Sequence, residues 1–588
     1  MSMLEQGQEA QVVSMCQATL KKRPTDALSN QIMAMVHGAY SRDAEALPYI
    51  QRAAYAMPKD GSVRFMLANV LMSLKKYKES AGAYRECLRI APGDVAACDG
   101  LAKCYISMGQ VSEAKRVYES AITAHPEDHN TYGNYGNALQ VIGRVAEALE
   151  VGKRGLARFP EDPVLLEFVT FSANYPMNAD DAEIRGWHER LGRAYVGERS
   201  GTLPVFLSNK LEPERALRVG FVSGDYSIHA CSFFLRGLLT NFHAGAVIAY
   251  CYSTARHTDG GDVPFRAVCQ FRDCEQLNSD QLAATVRRDE IDILIDCAGL
   301  TQGQRLRAFV PRAAPIQCTW LGYPNTTGLP TMDYRIVDAW TDPPGSEHHC
   351  TERLARITRA DGGPGCFLCY TPLDGMPRWE AASRADASEP GIVFGSFNRM
   401  MKVTSETLDA WCAVLKAVPD SKMNIKLRIA TKEMTDDTLA MFTSRGVSAD
   451  RILLSPYAES AAEHQRMYSR IDIALDAFPY NGTTTTCEAM WMGVPVVVLE
   501  GTNHRGRVGV SLLHAVGVPE LVAPDIGSYI SIAAGLAADR RRLYELKASL
   551  RERMAGSILC DAPGYARRYE SLLRELWFRH CATQPSPS

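Results

Sequence analysis

The chain has 588 residues, 46% apolar and 22% charged, with a formal net charge of -3 and no basic block. These totals fit two to four globular domains and argue against nucleic acid or an anionic membrane surface as partner. Met1-Ser2-Met3-Leu4-Glu5-Gln6 lacks a basic, apolar leader, no apolar run approaches the ~18 residues of a membrane span, and 17 scattered cysteines form no dense framework, so a cytoplasmic location is expected.

Prolines at Pro24, Pro58, Pro92, Pro126 and Pro160 recur every 34 residues. This is the period of the tetratricopeptide helix-turn-helix unit. Ala46, Ala114 and Ala148 share one phase, with Ser80 in the fourth slot, where small side chains let paired helices approach; Tyr84 and Tyr118 share another. Each proline is expected to end a second helix, because it has no N–H and restricts the residue before it. Units run from Asp26, Asp60, Asp94 and Asp128 after a partial unit from about Gly7. Stacked repeats form a concave surface suited to extended peptide, and Asn134 and Asn137 are candidates to hold a peptide backbone there.

The 34-residue beat is expected to stop at Asp162, with a helical bridge to about Ala216, including a helix around 182–191, and a loop from Gly201 to Pro213. Leu217 to Ser223 then reads as a buried strand, followed by a turn carrying His229 and a helix over 232–239. Further strands are predicted at 246–252, 292–296, 315–320 and 334–337, with a helix at 281–288. His229, just after the first strand, can act as base toward a hydroxyl or orient one. The loop Gly322-Tyr323-Pro324-Asn325-Thr326-Thr327-Gly328 follows a strand and is expected to face a cleft, with Tyr323, Pro324, Thr326 and Thr327 toward an acceptor. Cys366 and Cys369, with His348, His349 and Cys350 upstream, offer four zinc ligands, but the irregular second pair makes reduced structural cysteines the expectation.

A loose stretch from Thr371 to Pro390 reads as a linker. Strands follow at 392–397, 424–429, 451–454, 471–475 and 495–499, with helices at 406–417, 436–444, 461–468 and 484–492 between them. Arg399 and Lys402 sit at the rim of the first of these strands, where a cation can hold a departing phosphate. His464 lies on the helix before the fourth strand, and Arg507 in the loop Gly501 to Arg507 is a further phosphate candidate. After the fourth strand comes Phe478-Pro479-Tyr480-Asn481-Gly482-Thr483-Thr484-Thr485-Thr486-Cys487-Glu488. A strand, a glycine turn and hydroxyl residues opening a helix make an anion site, since backbone N–H groups and the positive helix end point the same way. Threonines also cap helices that bind nothing. Glu488 is placed to accept hydrogen bonds from a ribose, as acidic residues do in dinucleotide folds. The chain ends in helices and a polar tail from Thr583 to Ser588.

Strands alternating with helices imply two doubly wound lobes, whose ligands bind at the carboxyl ends of the strands. The expected fold is thus α, a tetratricopeptide superhelix, plus α/β, two Rossmann-like lobes of the GT-B glycosyltransferase kind. Its expected parts are repeats over 1–161, a bridge over 162–216, an N-terminal lobe over 217–375, a C-terminal nucleotide-sugar lobe over 376–580 and a tail over 581–588. No Asp-x-Asp metal clamp follows a strand, so no metal or other cofactor is expected; cations and helix ends would neutralise a leaving diphosphate.

Over essentially its whole length the sequence resembles the SPINDLY and O-GlcNAc transferase family of protein O-glycosyltransferases. The SPINDLY branch is the more similar along Gly322 to Pro330, Cys366 to Pro372 and Asp476 to Glu488. The resemblance implies that His229 is the active-site histidine, Lys402 the lysine on the donor diphosphate and His464 a nucleotide-side histidine. It implies phosphate-binding roles for Thr484 and Thr485, and Glu488 stands where O-GlcNAc transferases carry a ribose-binding Asp. Thr483 occupies a position that is His in those enzymes, Arg399 one that is Gln, and the lysine before His464 is missing. These departures favour GDP-fucose over UDP-GlcNAc as donor. The implied reaction is inverting transfer of a sugar to Ser or Thr of protein substrates presented by the repeats, which also offer a route to oligomers. The alternatives are transfer of another sugar, for example to flagellin, and a silent repeat scaffold that binds nucleotide.

Overall fold

The computed structural model describes residues 9–40, 42–197, 209–373, 375, 391–427, 431–458 and 460–583. The start of the partial repeat at Gly7, most of the 201–213 loop, the linker over 376–390, Ile429 and the tail beyond Thr583 lie outside these residues. The chain divides into two compact units, one of Met1–Pro160 with Ile429–Asp437, the other of Glu161–Arg428 with Thr438–Ser588.

The described part of the first unit's repeat segment contains nine helices: α1 (Glu9–Lys22), α2 (Ala27–Ala39), α3 (Asp43–Ala56), α4 (Gly61–Ser73), α5 (Tyr77–Ile90), α6 (Val95–Ser107), α7 (Val111–Ala124), α8 (His129–Val141) and α9 (Val145–Arg158). α1, α3, α5, α7 and α9 each stop two residues before one of the periodic prolines. The next helix restarts on an aspartate. Asp26, Asp60, Asp94 and Asp128 accept hydrogen bonds from the backbone N–H of Ser29, Val63, Ala97 and Thr131 at 2.9–3.2 Å, filling the orphan donors of each helix start. The small-residue phase is fully buried at Ala46, Ser80 and Ala148 and 1% exposed at Ala114. Gly100 is required on packing grounds, because a methyl group there would collide with the ring of Tyr84.

The beat does not stop where the sequence suggests. Asp162 caps a further helix, α10 (Pro163–Ser172), through the N–H of Leu165 at 2.9 Å, so the capping rhythm persists for one more half-unit. α10 belongs to the second unit and is followed by α11 (Asp181–Gly197).

The first lobe carries β1 (Leu217–Ser223), α12 (Ser232–Leu239), β2 (Val247–Ser253), α13 (Val263–Val268), β3 (Gln270–Asp273), α14 (Ser279–Arg288), β4 (Ile293–Asp296), β5 (Ile316–Thr319), β6 (Tyr334–Val337) and β7 (Arg353–Arg356). The second carries β8 (Val393–Ser396), α15 (Ser405–Ala417), β9 (Lys422–Lys426), α16 (Lys432–Thr443), β10 (Ile452–Ser455), α17 (Ala461–Met467), β11 (Ile473–Leu475), α18 (Thr484–Trp491), β12 (Val496–Leu499), α19 (Val508–Val516), β13 (Val522–Ala523), α20 (Ile526–Ala538), α21 (Arg540–Ala555) and α22 (Ala562–Thr583). Both sheets are parallel, ordered β3-β2-β1-β4-β5-β6-β7 and β10-β9-β8-β11-β12-β13. The strand order therefore reverses between β1 and β4 in one lobe and between β8 and β11 in the other, the switch points at which such sheets bind ligands.

The central strands fall within two residues of their predicted limits where described, because they are continuous apolar runs buried on both faces. β3, β7 and β13 went unpredicted. β3 and β7 are four-residue edge strands with charged, partly exposed residues, and β13 has two residues; edges are kept short and charged to discourage further pairing, which erases the apolar signal. The last helix, α22, returns to the first lobe and packs on α12 and β5.

Asp94→Ala should lower the stability of the repeats by about 1 kcal/mol through loss of the α6 cap, whereas Asp94→Asn should largely retain it. Urea unfolding followed by circular dichroism at 222 nm measures the difference; equal effects of the two substitutions would remove the cap from the explanation.

Candidate functional site

The turn from β11 to α18 is built around Asp476. Burial pushes this carboxyl up to about 6, against hydrogen bonds from the backbone N–H of Gly482 and Ala477, the charge of Lys402 and the Asn398 amide. The bonds fold residues 476–482 back on themselves. A methyl group at Gly482 would press on the hydroxyls of Thr485 and Thr486 and on Asp476, so only glycine lets the turn close.

Above this turn lies Lys402, in a short 3-10 turn after β8. Its ammonium donates to the carbonyl of Asn481 at 2.7 Å and stands 4.0 Å from the centre of the Tyr480 ring. Tyr175, between α10 and α11, stacks on Tyr480 at 5.1 Å and 11° between planes. The bridge segment thus supports the lysine through one aromatic ring. Burial, with the nearby Arg399, pulls the Lys402 pKa down to about 7 although Asp476 works the other way. Arg399 is exposed and makes no hydrogen bond or ion pair among the described residues.

α18 opens without a side-chain cap. Thr483 stands at the N-cap and its hydroxyl makes no capping bond, so the threonines do not simply close the helix. Thr484 Oγ1 instead reaches across to the carbonyl of Ala230 in the first lobe at 3.4 Å, and Thr485 Oγ1 bonds Asn398 Oδ1 at 3.1 Å. Uncapped N–H groups, the threonine hydroxyls, Lys402 and Arg399 lie about one place. That is an anion site.

Glu488, one turn further, is buried and accepts from His464 Nε2 at 3.0 Å and from the Tyr468 hydroxyl at 3.2 Å. On the far side of the imidazole, His464 Nδ1 lies 3.2 Å from the ammonium of Lys426, which also stands 5.1 Å from the exposed ring of Tyr457. Burial lowers the Lys426 pKa, Glu488 opposing it. Sequence reasoning missed Lys426. Lys426 ends β9, and that strand-end position is the signal that points to it.

His229 is also where the sequence places it, after β1 and beside Thr484's partner Ala230. Its side chain is 43% exposed, and Nδ1 lies 3.2 Å from Asp225 Oδ1. The backbone N–H of Cys231 points at the same nitrogen from 3.4 Å. Nδ1 thus stands between a carboxylate oxygen at ion-pair distance and a backbone donor, while Nε2 makes no hydrogen bond among the described residues.

Two expectations need correction. The loop from Gly322 to Gly328 does not face a cleft. Tyr323, Pro324, Thr326 and Thr327 are all buried. The Tyr323 hydroxyl is closed off by Asn174 at 2.7 Å and His188 at 2.8 Å, Thr326 donates to Glu352 at 2.6 Å, and Thr327 uses both hydroxyl and N–H on Glu352. Burial drives the pKa of His188 down to about 3, so a neutral ring donates to Ile184 and accepts from Tyr323. A glycine is needed at 328 because the His188 carbonyl would strike any Cβ. The loop seats α11 on the first lobe. Arg507 is likewise spent on structure, bonding the Trp340 carbonyl at 2.8 Å, the Gly501 carbonyl at 3.2 Å and the Glu500 carboxylate. It ties the second lobe to the first and is not disposed toward a phosphate.

Asn134 and Asn137 lie three residues apart on α8, half-buried and exposed respectively. Cys366 packs against Ser511 at 3.6 Å and Cys369 is buried. Among the described residues neither joins the His348–Cys350 segment in a metal-ligand cluster; the only such group is Asp225, His229 and Cys231.

Comparison with known proteins agrees with this arrangement. The sequence matches the family described as Glycosyl transferase family 41 over residues 187–361 and 381–569, and tetratricopeptide repeat families over 42–95 and 71–129. It is 38% identical over 380 residues to the probable UDP-N-acetylglucosamine–peptide N-acetylglucosaminyltransferase SPINDLY of Arabidopsis thaliana, covering 63% of this chain and 41% of that protein. It is 25% identical to the UDP-N-acetylglucosamine–peptide N-acetylglucosaminyltransferase of Caenorhabditis elegans, covering 66% of this chain and 43% of that one. The chain thus spans about two fifths of the length of the curated relatives it matches. A solved structure of a Thermobaculum terrenum O-GlcNAc transferase mutant superposes with a TM-score of 0.77 at 30% identity, covering 92% of this chain and 99% of that one.

Two expected outcomes follow from the geometry. An anion drawn to protonated Lys402 must carry a proton in with it once the free lysine, with its pKa near 7, is neutral; affinity for a nucleoside diphosphate should then fall by about tenfold per pH unit above 7 until the pKa of the complex is reached. Calorimetric titration between pH 7 and 9 reads this, and a slope that persisted in Lys402→Met would assign the proton elsewhere. Arg507→Met should lower the thermal midpoint while leaving nucleotide affinity within about twofold, the reverse of what a phosphate ligand would show.

Proposed function

Because the chain belongs to glycosyl transferase family 41, we propose that it is an inverting protein O-glycosyltransferase that moves a sugar from a nucleoside diphosphate to Ser or Thr hydroxyls without a metal. The observation that carries this reading is the positive charge of Lys402 and Arg399, met by no ion pair among the described residues, at the uncapped start of α18, with His229 beside it across the lobe junction.

The diphosphate lies on the first turn of α18, its charge met by Lys402, by Arg399 and by the N–H groups and hydroxyls of Thr484 and Thr485. Glu488, held by His464 and Tyr468, takes the ribose. The acceptor hydroxyl attacks the anomeric carbon from the face opposite the diphosphate and gives its proton to His229 Nε2, while Asp225 holds the Nδ1–H and steadies the imidazolium. The anomeric C–O bond to phosphate breaks as negative charge collects on the leaving oxygen, and the fixed cations, being better matched to that charge than to the intact ester, lower the barrier. A role for Asn134 and Asn137 in holding acceptor peptide fits their place on an inner-phase repeat helix. Seventeen cysteines without a disulfide suit a reducing cytoplasm.

GDP-fucose is the proposed donor. Thr483 and Arg399 at positions that differ from the O-GlcNAc transferases support it, as does Lys426 beside His464, a cation suited to the O6 and N7 acceptors of guanine. The second reading, UDP-GlcNAc, is favoured by the names of the relatives at 38% and 25% identity. Thermal-shift measurements with GDP and UDP, followed by mass spectrometry of a protein acceptor incubated with each donor, decide between them; a preference for UDP and a HexNAc mass increment would overturn the fucose assignment. Lys402→Ala should cut transfer by about a hundredfold or more with folding intact, and unchanged donor turnover in that variant would overturn the mechanism.

A further inference from the structure

The turn after β1 holds more than a base. Asp225, His229 and Cys231 each place one ligand atom within 4.8 Å of the other two, with Asp225 Oδ1 and His229 Nδ1 already 3.2 Å apart. Carboxylate, imidazole and thiol are the donors that zinc takes in sites with three protein ligands and an open fourth position. A tetrahedral ion with bonds of about 2.0–2.3 Å separates its ligands by about 3.3–3.8 Å, so the triad need contract by only about an ångström. His229 Nδ1 is also faced by contradictory partners. A carboxylate oxygen asks it for a proton, and the N–H of Cys231 asks it for a lone pair. A cation between the three groups would take that lone pair and face the carboxylate directly.

We propose that Asp225, His229 and Cys231 form an inhibitory zinc site at the mouth of the candidate active site. Zinc binds the Nδ1 lone pair, one Asp225 oxygen and the Cys231 thiolate, and a solvent water fills the open position. The thiol proton leaves to solvent and no group changes oxidation state. With Nδ1 on the metal, the ring's one remaining proton sits on Nε2. The nitrogen that would accept the acceptor's proton is then blocked, and the Asp225 carboxylate that steadied the imidazolium is engaged elsewhere. The metal therefore inhibits by fixing the wrong tautomer, without covering the diphosphate site.

Cobalt serves as the visible probe for the full-length protein after dialysis against EDTA. Added Co2+ should give a thiolate-to-cobalt charge-transfer band and the visible bands of a tetrahedral site, both abolished by one equivalent of Zn2+ and both missing from Cys231→Ser. Zinc should suppress sugar transfer reversibly on chelation, and Cys231→Ser should raise the zinc concentration for half inhibition at least tenfold while its zinc-free transfer rate stays within twofold of the parent. A cobalt spectrum without the thiolate band, a band that survives in Cys231→Ser, or equal zinc sensitivity of the two proteins would overturn the site. The cobalt spectrum needs no turnover, so its outcome is independent of the transferase reading: metal binding with no transfer would count against the proposed function and leave the zinc site standing.

Discussion

Lys402 is a cation half-buried against an aromatic face and a backbone carbonyl, with no carboxylate at ion-pair distance among the described residues. Burying charge without a counter-ion is costly, and a protein that does so elsewhere usually neutralises the group or pairs it. Here the nearest acid, Asp476, is itself buried and engaged by Gly482, Ala477 and Asn398. The arrangement leaves a deficit of negative charge at the start of α18, which an anionic ligand would complete. Other features of the site stand around that deficit: Gly482 lets the turn close, Thr483 leaves the helix uncapped, and Arg399 adds charge that no ion pair among the described residues meets.

The two lobes have the same strand order over six strands, yet only the second presents cations at its switch point. The first presents the Asp225–His229 pair instead. In the proposed mechanism, anion binding and proton transfer are thereby divided between two equivalent places in two copies of one topology. Such a division works only if the copies are held in register. Buried polar ties do this: His504 to Asp342 at 2.5 Å, Ser511 to Asp338 at 2.6 Å, and α22 lying back on the first lobe. Burial lowers the pKa of His504 and Asp342 works against it, while the same histidine and Arg335 hold the Asp342 carboxyl down to about 2. Because Asp342 stays ionised across the physiological range, this tie persists when the pH of the surroundings changes.

What could be read from the sequence follows from what leaves a periodic or positional trace. The 34-residue prolines and the buried central strands are repeated or continuous signals, and the residues at strand ends, Lys402, His229 and Thr483 to Glu488, inherit their position from them. The aspartate caps share the same 34-residue phase and were equally available, down to Asp162, where the beat carries on after the prolines end. Other features leave no such trace. A Gly/Pro/Asn loop has the same composition whether it lines a cleft or, like Tyr323 to Thr327, is buried under a helix; only the neighbours Asn174, His188 and Glu352 distinguish the two, and they come from distant stretches. Arg507 has the same ambiguity, since a guanidinium suits a phosphate or a Glu500 carboxylate equally well. Lys426 reaches His464 from 38 residues away across two strands, a relation no local pattern encodes.

The nucleoside side of the site is built differently from the diphosphate side, and the difference bears on how a donor is chosen. In the proposed reaction Lys402, Arg399 and α18 would meet charge that every nucleoside diphosphate carries, and so would confer affinity without discrimination. Glu488, His464 and Lys426 form a chain of hydrogen-bonding groups in contact at 3.0 and 3.2 Å, and a change at one end alters the donors and acceptors offered at the other. With Lys426 on Nδ1, His464 keeps its Nε2–H on Glu488 Oε2, and in the proposed complex Glu488 Oε1 is left for the ribose. A base that presents a donor to Lys426 would leave a part-buried ammonium with His464 as its acceptor and none from the base, at a cost of about 1–3 kcal/mol. In the proposed donor complex, selection among nucleotides would therefore reside in how the base pairs with Lys426 and His464, apart from the proposed chemistry at Lys402 and His229.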